Sequence, residues 1–154
     1  GVSKSYAMTG WRIGYSASNP QLAKVMANYL SHSTSAPSTI SQQAAITALT
    51  GPQEDMQVMK QAFEQRRDHL VERMNQIEGV SCIKPEGAFY LFVKSPVENE
   101  KEFCEVCKQY NVLVVPGSSF ACPGYVRIAY CVSYGQIERS LPAFRKIAEH
   151  YNLV

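Results

Sequence analysis

The spacing of apolar residues changes once along the chain, near Gly79, and this change limits the possible folds more than any other feature. Before Gly79 the apolar residues recur every three or four positions, which is the spacing of helices that bury one face. After Gly79 short runs rich in β-branched and aromatic residues appear, which are typical of strands, and they are interspersed with helical segments. We therefore predict an α/β chain whose last part is a small α+β domain.

Three helices are predicted before this change, over residues 20–31, 40–49 and 53–78. Each follows residues that favour the start of a helix: Asn19 with Pro20, Thr39 with Gln42 as a capping box, and Thr50 with Gln53 as a second capping box. The third helix carries a stripe of methionine and other apolar residues, which is more typical of helix packing than of a cofactor site. Its length suggests a connector between two domains.

Strands are predicted over residues 80–83, 89–93, 112–115 and 125–131, with a helix near residues 100–110. Ser133 and Gln136 favour the start of a last helix. One face of this helix carries the apolar residues Ile137, Leu141, Phe144, Ile147 and Tyr151. In order, the chain is predicted to be a strand–loop–strand tail over the first residues, three helices, and a small βαββα unit.

The composition excludes several classes of protein. Apolar residues make up 45% and charged residues 18%, so the chain has too little charge for disorder, and it has no apolar run long enough to span a membrane. The net charge is +2 and the lysines and arginines are scattered, a pattern that indicates neither nucleic acid nor a membrane surface as partner. A soluble globular protein is therefore expected.

Five cysteines at irregular spacings, without a signal peptide, favour reduced thiols and a cytoplasmic location. Cys104 and Cys107 form a CxxC pair, but they lie within the helix predicted near residues 100–110. No second pair and no nearby histidine completes a set of metal ligands. We therefore expect a partly buried helix face at this pair and no metal site.

The first fifteen residues carry the most specific pattern in the chain. They read Gly-Val-Ser-Lys-Ser-Tyr-Ala-Met-Thr-Gly-Trp-Arg-Ile-Gly-Tyr. This string resembles the cofactor-lysine signature of the class I (fold type I) aminotransferases, which depend on pyridoxal 5'-phosphate. The resemblance implies that Lys4 binds the aldehyde of the cofactor and is the catalytic residue. A neutral amine can attack an aldehyde and can later carry a proton between substrate and cofactor.

Arg12 and the glycines of the same segment have implied roles as well. The resemblance implies that Arg12 binds the cofactor phosphate, since a guanidinium makes paired, charge-assisted hydrogen bonds with such a group. Gly10 and Gly14 are expected to let the backbone turn and approach the cofactor or neighbouring strands closely. Many relatives have serine where this chain has Gly1, so phosphate binding is expected to depend more on Arg12.

Arg127 lies in a predicted strand whose alternation puts Val126, Ile128 and Tyr130 on one face and Tyr125, Arg127 and Ala129 on the other. An arginine among apolar neighbours needs a partner, either a ligand carboxylate or a carboxylate of the same domain. The segment over residues 112–130 resembles the aminotransferase segment whose arginine binds the substrate α-carboxylate. Phe120, in the loop before the strand, either lines the active site or packs within the loop.

The resemblance covers essentially the whole chain and is closest to prokaryotic-type aspartate aminotransferases. It implies that residues 1–50 are the tail of the large cofactor-binding domain, and that residues 51–154 are the small C-terminal domain with its connector helix. Since the chain opens almost at Lys4, we expect a C-terminal fragment of a longer parent. The aspartate that pairs with the pyridine nitrogen and the aromatic residue that stacks on the ring are then expected outside this chain.

The implied activity is amino transfer from an L-amino acid, aspartate in this group, to a 2-oxo acid such as 2-oxoglutarate, by a cytoplasmic homodimer. The fragment alone is expected to be inactive, because it lacks the groups that tune the cofactor ring. Several alternatives stay open. Aromatic and alanine aminotransferases, C–S lyases and aminocyclopropane-carboxylate synthases share the fold and the cofactor. A non-catalytic effector domain of an aminotransferase-like regulator would need a DNA-binding domain upstream.

Overall fold

The computed structural model describes residues 1–153, which divide into two compact units. The first unit is Gly1–Lys60 and the second begins at Gln61, so the boundary falls within one long helix. The α-helices are α1 (Val2–Ser5), α2 (Pro20–Ser33), α3 (Thr39–Thr50), α4 (Glu54–Asn75), α5 (Glu100–Gln109) and α6 (Tyr134–His150). The strands are β1 (Tyr90–Lys94), β2 (Val115–Pro116) and β3 (Tyr125–Ala129), and two 3₁₀ turns cover Thr9–Trp11 and Gly117–Phe120.

The first fifteen residues form two short helical turns and no strand, so the predicted strand–loop–strand tail is wrong. The backbone of Ala7 and Arg12 has positive φ, 54° and 51°, and these left-handed positions interrupt any extended run. The Thr9 hydroxyl donates to the Ser3 carbonyl oxygen at 2.9 Å and holds the 3₁₀ turn against α1. This segment is therefore a loop fixed by its own side chains.

The three helices predicted before Gly79 are confirmed as α2, α3 and α4. The start of α2 follows the predicted signal, since Asn19 Oδ1 accepts from the Leu22 N–H at 2.9 Å and Pro20 is the first helical residue. The long helix α4 is somewhat shorter than the predicted range, and ends at Asn75.

Neither predicted capping box forms. The Gln42 side-chain amide donates to the Pro37 carbonyl oxygen at 2.9 Å. The Gln53 amide donates to the carbonyl oxygens of Ala48 and Gly51, at 3.0 and 2.7 Å. Carbonyl groups at the end of a helix lack helical partners, and Gln53 satisfies two of them at the end of α3 instead of capping α4.

The second unit contains one antiparallel sheet with the strand order β1-β3-β2. Arg127 of β3 pairs with Phe92 of β1 on one side and with Val115 of β2 on the other. β1 and β3 confirm the strands predicted over residues 89–93 and 125–131, and α5 and α6 confirm the two helices. The middle strand of the sheet therefore carries the candidate substrate arginine.

Two predicted strands are much shorter in the structure. The run over residues 112–115 gives only β2, and the Val112 N–H donates instead to the Cys107 carbonyl oxygen of α5 at 3.0 Å. The first predicted run gives only an isolated bridge of Cys82 with Val93. The Asn75 side chain makes two hydrogen bonds with the backbone of Cys82. Its Oδ1 accepts from the Cys82 N–H at 3.0 Å, and its Nδ2 donates to the Cys82 carbonyl oxygen at 3.3 Å. A side chain thus takes the place of a neighbouring strand.

The core of the second unit lies between the sheet and the helices α4, α5 and α6. Almost fully buried side chains come from each of these elements: Leu70, Met74, Leu91, Cys107, Val126 and Ile147. The predicted inward face of α6 is confirmed for Ile137, Leu141, Phe144 and Ile147, while Tyr151 is partly buried. This unit therefore has a continuous core of its own.

Cys104 and Cys107 are buried in α5, and burial raises the pKa of both thiols, that of Cys107 to about 12. Thiols of raised pKa are poor nucleophiles and poor metal ligands at neutral pH. Within residues 1–153 no group of three or more His, Cys, Asp or Glu side chains is placed to hold a metal ion. In the same part of the chain, every helix is too short or too polar to cross a membrane.

Candidate active site

Lys4 lies in α1, a single helical turn whose backbone is anchored by its neighbour Val2. The Val2 side chain is fully buried and packs with Met8 and Ala45 in the small core of the first unit. The Lys4 carbonyl oxygen accepts from the Ala7 N–H at 3.4 Å, and the Lys4 side chain is exposed. The first unit therefore presents the amine at its surface while buried neighbours fix the backbone.

Arg12 follows the 3₁₀ turn of the same loop and adopts the left-handed conformation. Its side chain is exposed, and Nη1 donates to the Thr9 carbonyl oxygen over a long 3.4 Å. The Ser41 hydroxyl of α3 donates to the Trp11 carbonyl oxygen at 3.0 Å and so ties the residue before Arg12 to α3. Arg12 thus combines a fixed backbone with guanidinium donors that remain for a ligand.

Gly10 lies within the 3₁₀ turn Thr9–Trp11, but the positive φ angles of the loop fall on Ala7 and Arg12 and on neither glycine. A Cβ at Gly10 or Gly14 would meet no atom of the described residues within 4 Å. A close approach of these glycines to a cofactor or to neighbouring strands therefore stays a prediction.

Tyr6 joins this loop to the end of α3. Its hydroxyl donates to Gln53 Oε1 at 2.7 Å, and the Gln53 amide donates in turn to the last carbonyl groups around α3. Sequence reasoning assigned no role to Tyr6. Together with the bond from Ser41, the Tyr6 bond fixes the loop at two separate points.

Arg127 lies on the face of β3 that the core does not cover, since Val126 and Ile128 are buried on the other face, as the alternation predicted. Its guanidinium carbon is 4.2 Å from the centroid of the Tyr90 ring and 3.9 Å from the centroid of the Phe120 ring. Both distances are well within the range of a cation–π contact. Two aromatic rings therefore flank the guanidinium.

Within residues 1–153, Arg127 has no carboxylate partner. Its Nε is buried and makes no hydrogen bond there, and none of the ion pairs of the described residues includes it. The alternative of a salt bridge within the same domain is therefore not realised in the described part of the chain. A buried N–H without an acceptor is costly, so this geometry favours an acceptor supplied by a ligand.

The loop that carries Phe120 depends on Gly117. A Cβ at Gly117 would lie 2.1 Å from the Cys122 carbonyl oxygen and 2.6 Å from that of Tyr125, so only glycine fits without a shift of the backbone. At the other end of the turn, the Phe120 ring meets the Phe92 ring edge-on, with centroids 6.1 Å apart. The Phe120 ring is therefore fixed by both its backbone and a ring contact.

Glu100, at the start of α5, binds the same loop. A hydrogen bond with the Ser118 hydroxyl, above all, holds the pKa of the Glu100 carboxyl below its usual value. Its Oε2 also accepts from the Gly124 N–H at 3.3 Å. The loop that presents Phe120 is therefore tied to α5 through one carboxylate.

The sequence analysis assigned no role to Tyr90, and it left two roles open for Phe120. Tyr90 lies two residues from Phe92, which pairs directly with Arg127. Diagonal neighbours in an antiparallel pair lie on one face and within reach of long side chains. The strand register identifies Tyr90, but the sequence alone does not fix that register.

The structure thus places Lys4 and Arg12 in one loop of the first unit, and Arg127 in the second unit with Tyr90 and Phe120. An exposed amine and a guanidinium on one loop suit a phosphorylated aldehyde, and a flanked guanidinium without a carboxylate suits an organic acid. Each of the two arrangements would suit a small anionic ligand.

The comparisons with known proteins agree with these features. A family model described as aminotransferase class I and II matches residues 1–144, and the chain belongs to this family. The aspartate aminotransferase of Bacillus subtilis (strain 168) is 40% identical over 99% of this chain and 41% of that protein. The aspartate aminotransferase of Geobacillus stearothermophilus is 41% identical over 97% and 40%. The chain therefore spans about two fifths of the length of these relatives.

Solved structures of aminotransferases are also similar to this chain. The aspartate aminotransferase of Rhizobium meliloti has a TM-score of 0.86 at 39% identity, over 99% of this chain and 41% of that chain. An aromatic aminotransferase from Pyrococcus horikoshii OT3 has a TM-score of 0.89 at 33% identity, over 100% and 43%. The resemblance predicted from the sequence is confirmed, and so is the predicted fold class, an α/β chain that forms part of the aspartate aminotransferase fold.

Proposed function

We propose that this chain is part of a pyridoxal-phosphate-dependent aminotransferase, which moves the amino group of an L-amino acid to a 2-oxo acid. Membership of the family supports the reaction, and the two aspartate aminotransferases of similar sequence support aspartate as the donor. The choice of 2-oxoglutarate as acceptor rests on the family resemblance. One observation carries the proposal, namely that Arg127 has two aromatic neighbours and no carboxylate partner within residues 1–153.

The lysine loop, residues 1–15, has groups that fit pyridoxal phosphate. The Lys4 side chain is exposed, and the Arg12 guanidinium is exposed with a single long hydrogen bond to the Thr9 carbonyl oxygen. Lys4 would hold the cofactor through its aldehyde, and Arg12 would bind the phosphate with paired hydrogen bonds. When bound, pyridoxal phosphate supplies an electron sink for the negative charge that develops at the substrate Cα.

Arg127 and Lys4 would then have separate roles in the reaction. Arg127 would bind the α-carboxylate of the amino acid and so fix its orientation. Lys4 Nζ would act as the general base that accepts the proton from the substrate Cα and as the acid that passes it to the cofactor. The same groups in reverse order would return the amino group to a 2-oxo acid.

We propose that residues 1–50 belong to a large cofactor-binding domain and residues 51–154 to a small domain, with α4 as the connector. Helix α2 supports the first assignment, because it buries none of its residues within the described chain. Its exposed apolar side chains are Leu22, Val25, Tyr29 and Leu30. An amphipathic helix normally packs its apolar face against further protein. The continuous core of the second unit supports the second assignment.

We also propose that these 154 residues do not transaminate by themselves. The relatives are more than twice as long as this chain, and the resemblance puts the pyridine-nitrogen aspartate and the stacking aromatic residue outside it. The active form would be a longer protein that works as a homodimer in the cytoplasm. These last two properties rest on the resemblance alone.

The test of the cofactor assignment is a titration with pyridoxal phosphate, followed by borohydride reduction and peptide mapping, in this chain and in the natural full-length protein. In the full-length protein we expect one label, on Lys4, which Lys4→Ala removes, and weaker cofactor binding in Arg12→Ala. Lys24→Ala, which removes an exposed lysine of α2, is the matched control and should keep the label. A label spread over several lysines would contradict the assignment.

The test of the reaction is an assay of amino transfer from aspartate to 2-oxoglutarate with the full-length protein. Activity that Lys4→Ala abolishes is expected. Elimination of sulfur from a thioether amino acid without amino transfer would replace the proposal with the lyase alternative. Binding of cofactor and amino acid without turnover would replace it with the effector-domain alternative.

A further inference from the structure

We propose that Tyr90 and Phe120 act as an aromatic clamp, a pair of positioning residues that fix the plane of the Arg127 guanidinium and so the angle at which it receives a carboxylate. The inference rests on the proposed function, in which Arg127 binds the substrate acid. It assigns a role in substrate affinity to two residues that do not themselves need to touch the reacting atoms.

In this clamp the two rings would cover the faces of the guanidinium and leave its edges for a ligand. The guanidinium carbon lies 4.2 Å from the Tyr90 ring centroid and 3.9 Å from the Phe120 ring centroid. A guanidinium that stacks on rings keeps its in-plane N–H donors, and these donors are the groups that match a carboxylate. An internal salt bridge would occupy the same donors, and none is formed within residues 1–153.

The position of Nε supports this view. It is buried and lacks a hydrogen-bond partner within residues 1–153, so no protein acceptor sets the plane of the group. The contacts with the Tyr90 and Phe120 rings are then the interactions that restrict rotation of the guanidinium. A cation–π contact holds a cation over the face of a ring, so two such contacts restrict the guanidinium more than one contact would.

The two rings come from different parts of the second unit, and each is held. Tyr90 lies in β1, and the register of β1 with β3 places it diagonal to Arg127. Phe120 ends the 3₁₀ turn that requires Gly117, and its ring also meets Phe92 edge-on. Neither ring depends on the other for its place, so each can be tested alone.

A clamp of this kind should act on binding more than on chemistry. An unrestricted arginine side chain loses rotamer freedom when it binds a ligand, and a pre-ordered one has lost it already. Loss of one ring is therefore expected to weaken carboxylate binding by about 3- to 30-fold, the range that corresponds to typical cation–π energies. The rate of the bound substrate should change much less.

The experiment uses the full-length protein with its cofactor and maleate, a dicarboxylate that does not react, as the probe. Phe120→Leu and Tyr90→Leu remove a ring, whereas Phe120→Tyr and Tyr90→Phe keep one. We expect the Kd for maleate and the KM for aspartate to rise about 3- to 30-fold in the leucine variants, with kcat within about threefold of its original value. The ring-keeping variants should stay within about twofold.

Nuclear magnetic resonance of the Arg127 Nε–H group gives an independent readout. Flanking rings shift this proton away from the value of an unstacked arginine, and each leucine variant should return it part of the way. An Nε–H at the unstacked position in the unsubstituted protein would overturn the clamp, even if every variant failed to fold. Leucine variants that bind maleate as tightly as the unsubstituted protein would overturn it as well.

Arg127→Leu separates this proposal from the proposed function. Arg145→Leu, which removes an exposed arginine of α6, is its matched control. Maleate binding that Arg127→Leu leaves unchanged would mean that Arg127 is not the carboxylate site, and both proposals would fail. Maleate binding that Arg127→Leu abolishes and the ring variants leave intact would remove the clamp alone.

Discussion

The two units of this chain differ in how much apolar surface they bury. Within the described residues, the hydrophobic core of the first unit consists of Val2, Met8 and Ala45, whereas that of the second joins eighteen buried residues, most of them in the sheet and three helices. Helix α2 of the first unit buries none of its residues. Because apolar burial is the main favourable contribution to folding, the stability of this chain resides chiefly in the second unit.

The residues that indicate the chemistry are distributed differently between the two units. The string that first indicated the family, with Lys4 and Arg12, lies in the unit with the small core. Arg127 lies in the unit with the large one. A reactive motif is identified from its residue types and spacing, while a fold is stabilised by buried area. A region can therefore be highly specific in sequence and contribute little to stability.

Leu91→Ala tests this difference most strongly. The Leu91 side chain is fully buried in β1, and its truncation should lower the free energy of unfolding by about 2–5 kcal/mol. Leu22→Ala, at an exposed position of α2, is the matched control, and its effect should stay below about 0.5 kcal/mol. Urea unfolding followed by circular dichroism measures both. Equal losses in the two variants would show that the first unit contributes as much as the second.

Trp11 gives the first unit its own signal in the same experiment. It is the only tryptophan of the chain and lies in the lysine loop. Leu91→Ala should move the transition seen by circular dichroism and leave the transition seen by Trp11 fluorescence in place. If both transitions moved together, the two units would unfold as one cooperative system, and the distinction between them would have no thermodynamic meaning.

Glycine substitutions give a second, smaller test. A Cβ at Gly117 would meet two carbonyl oxygens, at 2.1 and 2.6 Å, so Gly117→Ala should cost about 1–3 kcal/mol through a forced shift of the backbone. Gly10 in the lysine loop has no described atom within 4 Å of a Cβ, and Gly10→Ala should be close to neutral. Thermal unfolding measures both. A costly Gly10→Ala beside a neutral Gly117→Ala would reverse the comparison.

The fold could be predicted where one local rule decides the structure. The start of α2 follows from Asn19 and Pro20, and the buried face of β3 follows from alternation alone. The capping boxes were wrong because Thr39 and Thr50 are the first and last residues of α3 and not N-cap residues, and Gln53 Oε1 accepts from the Tyr6 hydroxyl. The strand predicted over residues 80–83 is reduced to the bridge of Cys82 with Val93, and a side chain, Asn75, binds the remaining backbone groups of Cys82.

The candidate site likewise has features that the sequence could predict and features that it could not. The residue types of the lysine loop were enough to identify the family, but its backbone was predicted wrongly, because no sequence rule places positive φ at Ala7 and Arg12. Arg127 could be predicted from its place in a strand. Its neighbours Tyr90 and Phe120 depend on the strand register and on the Gly117 turn, which are properties of the packed unit and not of a local segment.

Helix caps extend the comparison to effects of about 1 kcal/mol. Ser133 Oγ accepts from the Gln136 N–H at 3.2 Å at the start of α6, and Asn19 Oδ1 makes the equivalent bond for α2. Ser133→Ala should lower the free energy of unfolding by about 1 kcal/mol. Asn19→Ala should cost less than about half of that in the same urea titration, since α2 buries no residue and contributes little to the cooperative transition. Equal costs would mean that α2 belongs to the cooperative core.

The smallest expected effect is the dependence on pH of the bond that ties the Phe120 loop to α5. The Ser118 hydroxyl, above all, holds the pKa of Glu100 below its usual value. A carboxyl group with a lowered pKa in the folded state contributes stability above its ordinary pKa, about 4.5, and that contribution is lost as the pH falls through the lower, folded value. Protonation of Glu100 should therefore weaken the loop only in acid.

Glu100→Gln removes this charge, and its effect should change with pH in one direction. The urea midpoint seen by circular dichroism should differ from that of the unsubstituted chain at neutral pH. The difference should begin to shrink as the pH falls below about 4.5 and should vanish below the lower pKa of the folded state, because both chains are then uncharged at this position. Glu98→Gln makes the same change of charge at an exposed residue and should show neither effect. A difference that persists in acid would show that Glu100 acts through packing, since a lost charge cannot matter once the native carboxyl is protonated.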